Sequence, residues 1–446
     1  MLPTYPPDLL AHYDSGGLAT IWPETSALIP AWTSWRGLGI LCMFSYQVIN
    51  IAKGAIMPVL NTLADCHDEM TSWRRELHQH PELGYEEHWT SDYIAAKLTS
   101  FGIEIHRGMG KTGVVGIIRG QGDSSRMIGL RSDIDALPMT EENNFDHVSQ
   151  RPGVMHACGH DGHTAMLLGA ARYLAETRNF DGTVAVIFQP AEEGGAGGKA
   201  MMEDGLFDQF QMETVWGMHN WPGLDVGKMI VQRGPSMAAA DMFTITLTGR
   251  GGHAAMPHTT LDSIVAGTSL VQAMQTIVSR RIDPVDPAVV SVTQFHAGST
   301  HNVIPDTAEI VGTARYVRRE TGVFIQDQMR HLAASIAAAH ECSMTFDWEE
   351  GYPPTINHAA EAERAARIAE DVLGPDAVIF DAAPSMASED FSYMLEAKPG
   401  AYIWLGAGGG GKGAMLHNTG YDFNDELLPL GASYWARLVE TELPRG

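Results

Sequence analysis

The chain has 446 residues, of which 44% are hydrophobic and 19% are charged, so it can form two or three domains with large cores and is not a disordered protein. Its 29 lysines and arginines face 54 aspartates and glutamates, which gives a formal net charge of −25. A surface this acidic repels phosphate backbones and anionic headgroups, so nucleic acid and membranes are not expected partners. The four scattered cysteines exclude a disulfide framework and predict a reduced, cytoplasmic protein.

Residues 1–56 form an atypical N-terminal extension. No lysine or arginine precedes Arg36, which excludes an ordinary signal peptide. The uncharged segment 37–52 is shorter than the roughly 20 apolar residues that a membrane-spanning helix needs. Because regular patterning begins just after Met57, we expect Met57 to be the natural start of the protein.

The first patterned block, residues 57–235, alternates helices with short apolar runs. Apolar residues between Leu60 and Leu77 recur at helical spacing, and a second helix is predicted over 163–176. Strands are predicted over 114–118, 127–130, 183–188 and 215–218. This alternation predicts an α/β sheet that is buried on both faces.

The middle block, residues 236–350, has a different order of elements. Strands are predicted over 243–248, 289–295, 308–317 and 343–348, and helices over 261–282 and 320–340. The resulting order βαββαβ is the ferredoxin-like arrangement, so we expect a separate small domain. In the last block, residues 351–446, a helix over 359–373, a strand over 401–405 and a helix over 425–442 resume the first pattern. The α/β domain is therefore predicted to be discontinuous, with the small domain inserted.

One dense cluster of chemistry-bearing residues precedes the predicted helix at 163–176. Within eight positions it holds five residues of metal-ligand or acid–base type, namely His156, Cys158, His160, Asp161 and His163. Glycines between them allow a tight path on which neighbouring side chains converge. An alternative is a polar turn with Asp161 as the helix N-cap, but capping needs one aspartate and not a cysteine with three histidines. The cluster therefore predicts metal binding.

Three further motifs follow predicted strands. Glu192 and Glu193 come directly after the strand over 183–188, where open α/β sheets place their sites. Adjacent carboxylates repel unless one meets a cation and the other shares a proton, so one is expected to ligate metal and the other to act as a base. His219 ends another strand, and His417 follows a glycine-rich stretch.

Taken together, these motifs supply sulfur, nitrogen and oxygen donors from the two α/β segments. Such mixed donors suit Zn, Mn, Co or Ni rather than Mg or Ca. Two ions held by shared ligands would form a two-metal hydrolase site. The candidate ligands are Cys158, His160, Glu193, His219 and His417.

The glycine-rich stretch 406–413 matches a phosphate-binding pattern, GxxxxGK. Position 413 is glycine where that mechanism needs a serine or threonine hydroxyl, and no helical pattern follows. A nucleotide-binding enzyme is therefore the weaker alternative, and we expect a flexible loop that delivers His417.

The sequence resembles the aminoacylase/hippurate-hydrolase family of dinuclear metal amidohydrolases, which includes auxin-conjugate hydrolases and N-acetyl-diaminopimelate deacetylases. The resemblance begins near residue 70 and continues in family order to the C-terminus. The matching stretches are RRELHQHPELGYEE (74–87), LRSDIDALPM (130–139), HACGHDGHTAMLLGAA (156–171), QPAEEG (189–194), GMHNWP (217–222), GRGGHAAMPH (249–258), HNVIPD (301–306), GTAR (312–315), SEDF (388–391) and LHNTGYDFND (416–425).

The resemblance implies roles for individual residues. The five candidate ligands named above would hold two divalent ions per subunit. Glu192 would be the general base, and Asp135 would orient the site. Aminoacylase relatives carry His-x-Asp where this chain has Asp133-Ile134-Asp135, so that histidine ligand is not carried over, and Cys158 places the chain in the hippurate-hydrolase branch.

The inserted domain of the resembled family serves dimerisation and acts as a lid, so a homodimer or a higher homo-oligomer is expected. His253 would reach across the dimer to stabilise the oxyanion, and Asn302 and Arg315 would contact the substrate carboxylate. The implied reaction is hydrolysis of an N-acyl amino acid, such as hippurate or an N-acetyl conjugate, to a carboxylic acid and a free amino acid. Alternatives are an N-acetyl-diaminopimelate deacetylase, a dipeptidase on the same fold, or an inactive metal-binding relative.

Overall fold

The computed structural model describes residues 58–380, 382–408 and 415–446. The expectations for the extension 1–56 and for a start at Met57 lie outside these residues, as does most of the glycine-rich stretch 406–413. None of the helices in the described ranges is long and apolar enough to span a membrane.

The helices of the described chain are α1 (Pro58–Asp65), α2 (His67–Gln79), α3 (His88–Ser100), α4 (His160–Thr177), α5 (Glu192–Gly195), α6 (Gly197–Glu203), α7 (Leu206–Gln209), α8 (Ser263–Arg281), α9 (Arg319–Ala339), α10 (Ala359–Leu373), α11 (Phe391–Ala397) and α12 (Leu427–Glu442). The strands are β1 (Glu104–Met109), β2 (Gly113–Arg119), β3 (Met127–Asp133), β4 (Thr183–Gln189), β5 (Thr214–Trp221), β6 (Met229–Ile230), β7 (Pro235–Met237), β8 (Ala239–Thr248), β9 (Gly252–His253), β10 (Ala288–Ala297), β11 (Val303–Ile304), β12 (Thr307–Tyr316), β13 (Ser343–Glu349), β14 (Thr355–Ile356), β15 (Val378–Ile379) and β16 (Gly400–Gly406).

A large mixed sheet has the strand order β1-β2-β4-β3-β5-β16-β6-β15. Its centre, β4-β3-β5-β16, is parallel, while β1 and β2 pair antiparallel on one side. Alternate residues of β4 enter different cores: Val184, Val186 and Phe188 enter one, and Ala185 and Ile187 enter the other. This burial on both faces explains the continuous apolar run of β4 and confirms the predicted α/β class.

A separate four-stranded antiparallel sheet has the order β10-β12-β8-β13. In chain order its elements are β8, α8, β10, β12, α9 and β13, which is the βαββαβ succession expected from the sequence. Residues of α8 and α9 pack on one face of the sheet, around Phe243, Ile245 and Ile310. The exact domain boundaries at 235/236 and 350/351 stay predictions.

Candidate metal centre

The parallel strands bring the chemistry-bearing loops to one edge of the large sheet. In register, Asp133 at the end of β3 lies opposite Gln189 at the end of β4, and Trp404 of β16 lies opposite His219 of β5. The segments that follow these strands therefore leave from the same edge, where open α/β sheets bind ligands. Asp135, Glu192 and His417 lie on these segments.

The Cys158–His160 turn depends on a glycine. Gly159 has φ +99, and a Cβ there would lie 2.3 Å from Asn220 Oδ1 and 2.8 Å from the Tyr421 hydroxyl. Helix α4 begins at His160, three residues earlier than predicted, and Gly159 is its N-cap. The alternative of Asp161 as the N-cap is wrong, because its buried carboxylate instead bonds His78 Nδ1 at 2.8 Å.

Two three-donor groups overlap at Cys158. Cys158, His160 and His219 form one group, and Cys158, Glu193 and His417 form the other, each with donor atoms within 4.8 Å of one another. Cys158 Sγ lies 3.4 Å from His219 Nε2, and His417 Nε2 lies 3.1 Å from Glu193 Oε1. The fold thus brings together all five candidate ligands, which are far apart in sequence.

Hydrogen bonds fix the tautomers of the two buried histidines in the first group. His160 Nδ1 donates to the Asp135 carbonyl oxygen at 2.9 Å, and His219 Nδ1 donates to the Asn220 carbonyl oxygen at 2.7 Å. A carbonyl oxygen only accepts, so Nδ1 carries a proton in both rings, and in the neutral imidazole each Nε2 carries a lone pair. His160 Nε2 is buried and has no hydrogen-bond partner among the described residues. The donor set and this orphaned nitrogen fit a divalent transition-metal ion.

Buried carboxylates around the candidate ligands favour a positive charge at the centre. Burial lowers the pKa of His160, but the carboxylates of Asp133 and Asp135 outweigh this and raise it to about 10. Burial and the nearby Glu193 raise the pKa of the Cys158 thiol well above its usual value. A thiolate at this position therefore needs a cation beside it, as a metal ion provides.

Glu192 lies beside the two overlapping donor groups and takes part in two further three-donor groups. Its carboxylate oxygen is within 4.8 Å of donor atoms of His160 and Glu193, and it also approaches Glu389 and Asp390. Burial and the charges of Glu389 and Glu193 raise the pKa of Glu192 well above its ordinary value. A buried carboxylate with a raised pKa can take up and release a proton near neutral pH.

Asp135 connects the two donor groups. Its Oδ2 accepts a hydrogen bond from the Glu193 backbone N–H at 2.9 Å, and its Oδ1 lies 3.2 Å from His160 Nδ1. One carboxylate thereby orients a donor from each group. This arrangement supports the orienting role expected for Asp135.

The remaining predicted site residues lie in the segment of the four-stranded sheet. His253 pairs with Val303 between β9 and β11, and the Ala254 N–H donates to the Asn302 carbonyl oxygen. Arg315 lies on β12, opposite Ala240 of β8. Within the described ranges, none of His253, Asn302 and Arg315 forms a hydrogen bond or ion pair with the five candidate ligands.

Three members of the sequence cluster fall outside the overlapping groups, namely Asp161, described above, His163 and His156. His163 donates from Nδ1 to Asp133 Oδ1 at 2.6 Å, and with Asp133 and His160 it forms a further three-donor group. His156 is buried without a hydrogen-bond partner in the described chain, and burial lowers its pKa to about 3. His156 is therefore a neutral core residue.

Sequence reasoning missed the charges behind the centre. Arg131 is fully buried and holds Asp133, Glu389 and Asp390 at 2.8–2.9 Å. An arginine inside a strand that is buried on both faces must be paired with acidic groups. The position of Arg131 directly after the predicted strand over 127–130 was therefore the sequence signal for buried carboxylates nearby. It also missed Tyr352, whose hydroxyl bonds the backbone of the Glu192 loop.

Two proteins named as hydrolases are similar to most of this chain. A hippurate hydrolase of Campylobacter jejuni is 41% identical over 383 residues, which cover 86% of this chain and 99% of the relative. IAA-amino acid hydrolase ILR1-like 2 of Arabidopsis thaliana is 41% identical over 378 residues, with 83% and 84% covered.

A solved structure shares the fold. The crystal structure of the Bacillus subtilis YXEP protein, a dinuclear metal binding peptidase from the M20 family, is 35% identical with a TM-score of 0.76, and the match covers 85% of this chain and 99% of that one. The model of the peptidase family M20/M25/M40 matches residues 129–441, which include the five candidate ligands and Glu192. The chain therefore belongs to the peptidase family M20/M25/M40.

Proposed function

We propose that this protein is a metal-dependent amidohydrolase that cleaves N-acyl amino acids to a carboxylic acid and a free amino acid. The observation that carries the proposal is the pair of donor groups overlapping at Cys158, with the buried Glu192 against them. The relatives named as hydrolases of hippurate and of IAA–amino acid conjugates support the substrate class. The free thiols of Cys66, Cys158 and Cys342 suit a reduced compartment, and we place the protein in the cytoplasm.

Cys158, His160, Glu193, His219 and His417 would hold two divalent ions, of Zn, Mn, Co or Ni. Such ions, when bound, lower the pKa of water and polarise a carbonyl oxygen. Asp135 holds His160 and Glu193 in place through the bonds described above. Cys158, His160 and His219 are buried, which limits competing water on their side of the site.

Glu192 performs the proton transfers in this proposal. Its carboxylate takes a proton from the attacking water and then gives it to the nitrogen of the leaving amine. The raised pKa caused by burial and neighbouring carboxylates makes the protonated form stable enough to act as the acid. The same group thereby serves both halves of the reaction.

His253, Asn302 and Arg315 would act on the substrate from the four-stranded sheet. His253 is exposed on the short strand β9, and we assign it to the oxyanion in the active site of a second subunit. Asn302 lies beside it, and the cationic Arg315 suits the substrate carboxylate. This arrangement requires at least a homodimer.

The direct test is amine release from a panel of hippurate, N-acetyl amino acids, N-acetyl-diaminopimelate and dipeptides. Chelator-stripped protein is expected to be inactive, and added Mn, Zn, Co or Ni is expected to restore release from aromatic acyl or acetyl conjugates. Preferential release from N-acetyl-diaminopimelate or dipeptides would instead favour those alternatives. No release from folded, metal-loaded protein would contradict the proposal and favour an inactive relative.

The E192Q variant tests the role of the base. We expect it to keep its metal content while kcat falls by about 10²–10⁴-fold, the range typical of general acid–base catalysis. Elemental analysis and steady-state kinetics measure the two quantities. E203Q is the matched control, because Glu203 is an exposed carboxylate on the following helix. Retained turnover in E192Q would remove Glu192 from this role.

A further inference from the structure

The segment 350–354 leaves the four-stranded sheet after β13 and leads to β14. Its backbone is fixed to that sheet at two points. The Gly351 N–H donates to Asp241 Oδ1 at 3.0 Å, and the Ala240 N–H of β8 donates to the Tyr352 carbonyl oxygen at 3.2 Å. A Cβ at Gly351 would lie 1.9 Å from the Ala240 carbonyl oxygen, so the approach is as close as the backbone allows. The main chain of Tyr352 therefore follows the four-stranded sheet.

The side chain of Tyr352 reaches the loop that carries Glu192. Its hydroxyl donates to the Glu192 carbonyl oxygen at 2.5 Å and accepts from the Ala196 N–H at 3.0 Å. These two bonds clamp both ends of a five-residue span, residues 192–196. Burial and the charges of Asp390 and Glu192 raise the pKa of the phenol, so it stays protonated and remains a donor.

The loop that Tyr352 clamps is conformationally unfavourable. Ala191 and Ala196 both have left-handed backbones, with φ of 52° and 53°, although neither is glycine. L-residues avoid this region, and such residues persist only where their surroundings hold them. The loop needs bonds from outside itself to keep Glu192 and Glu193 in place.

Other bonds hold the loop from the large-sheet side. The Tyr85 hydroxyl donates to the Gly195 carbonyl oxygen at 2.6 Å, and the Ala191 N–H donates to Glu87 Oε1 at 2.8 Å. Tyr352 differs from Tyr85 and Glu87 because its backbone is bonded to β8 of the four-stranded sheet. It is thus a direct physical connection between that sheet and the backbone of Glu192.

We propose that Tyr352 is a positioning residue for Glu192, which couples the placement of the four-stranded sheet to the geometry of the base. The inference rests on the proposed function of Glu192. The phenol bonds the Glu192 carbonyl oxygen and the Ala196 N–H. A shift of the segment 350–354 would move both atoms and so displace the Glu192 carboxylate. Displacement of a reacting group by about 1 Å can cost a hundredfold in rate.

The variant Y352F tests the proposal, because it removes both hydrogen bonds and keeps the ring. We expect kcat for the best panel substrate to fall about tenfold to a hundredfold, while KM changes less than about twofold. Metal content and the thermal unfolding midpoint are expected to stay near the wild-type values. A fall in kcat with little change in KM, metal content or unfolding midpoint would indicate a misplaced base, and not weaker substrate binding or a less stable fold.

Y393F is the matched control. Tyr393 packs against Tyr352 with ring centroids 6.1 Å apart, and its hydroxyl donates to the Gly351 carbonyl oxygen on the same segment. It therefore tests a phenol bond to the segment that does not touch the Glu192 loop. We expect Y393F to keep its kcat within about twofold of wild type, since it leaves the base in place.

Three outcomes with folded Y352F would overturn the inference: an unchanged kcat, a loss of kcat no larger than that of Y393F, or a loss of metal. If Y352F does not fold, an unchanged kcat in folded Y85F would overturn it. Loss of metal would show that the phenol acts through Glu193. Y85F removes a phenol bond to the same loop, so its full activity would show that such bonds do not set the base. An inactive wild type would instead count against the proposed function, and E192Q distinguishes these cases.

Discussion

Arg131 illustrates how a single buried residue supports the centre. It lies in β3, and its guanidinium donates to Gln189 as well as to the carboxylates of Asp133, Glu389 and Asp390. Asp133 in turn holds His163, and Asp390 lies beside Glu192. One cation thus neutralises part of a buried acidic cluster that contacts both the metal side and the base side of the site.

Replacement of Arg131 is expected to be strongly destabilising. R131M leaves buried carboxylates without their cation, which should lower the free energy of unfolding by about 3–5 kcal/mol. Urea unfolding of chelated protein measures this loss. The control R119Q removes an exposed pair with Glu104, and its cost should stay below about 1 kcal/mol. A cost for R131M as small as that of R119Q would show that the cluster carries fewer charges than its geometry implies.

The residues of the candidate site were predictable to different degrees. Cys158, His160 and His219 could be predicted because cysteine and histidine are common metal ligands, and because these residues lie near the ends of predicted elements. The partners of Arg131 were not, because Glu389 lies 258 positions away in sequence and only the folded sheet brings it close. Tyr352 was missed because its role depends on a backbone bond, which residue type does not indicate.

At the scale of elements, a buried charge network joins α2, α4 and the segment before α12. Arg74 and His78 of α2 face Asp161 of α4, and Arg74 also bonds Asp422 and Asp425. Because α4 begins with the candidate ligand His160, this network holds in place the end of the helix that carries it. The network should therefore contribute to the free energy of unfolding.

The network predicts a pH dependence of stability. Burial lowers the pKa of His78, but hydrogen bonds to Asp161 and Glu141 raise it to about 9 from an ordinary 6.5. A raised folded-state pKa stabilises the fold fully below pH 6.5, and this contribution is lost as the pH rises through about 9. The loss is of the order of 3 kcal/mol.

Urea unfolding in chelator between pH 6 and pH 10 measures this effect. The H78N variant should be less stable than wild type at pH 6, and the difference should shrink toward pH 10. H331N, which alters an exposed histidine of α9, should keep the wild-type slope. A difference between H78N and wild type that does not change with pH would contradict a protonated His78.

Elements were predictable where one physical signal dominated. The central strand β4 and the helix α10 follow their predicted ranges, because apolar residues occupy their buried positions. Helix α3 was not assigned from the sequence, since it buries Thr90 and Ser91 beside Ile94 and so breaks the apolar period. The start of α4 was missed because its N-cap is Gly159 and not a polar residue.

At the scale of the whole molecule, His253 is separated from the centre of its own chain. It is exposed, and in the described residues it forms no bond to the five candidate ligands. Strand β10 is an edge of the four-stranded sheet and pairs with β12 on one side. The edge of this sheet, unpaired among the described residues, and the exposed His253 suit contact between two copies, as the proposed homodimer requires.

Complementation between two inactive variants tests this arrangement. If His253 serves the site of a second subunit, E192Q and H253A should each be inactive alone, but their mixed dimer contains one complete site. Random pairing of equal amounts then restores about a quarter of the wild-type amine release, because half of the dimers are mixed and each has one working site. The control pair, E192Q with H219N, places both defects in the ligand-and-base region of each chain's own site and should restore nothing. No activity from either mixture, with mixed dimers demonstrated, would place the action of His253 within its own subunit.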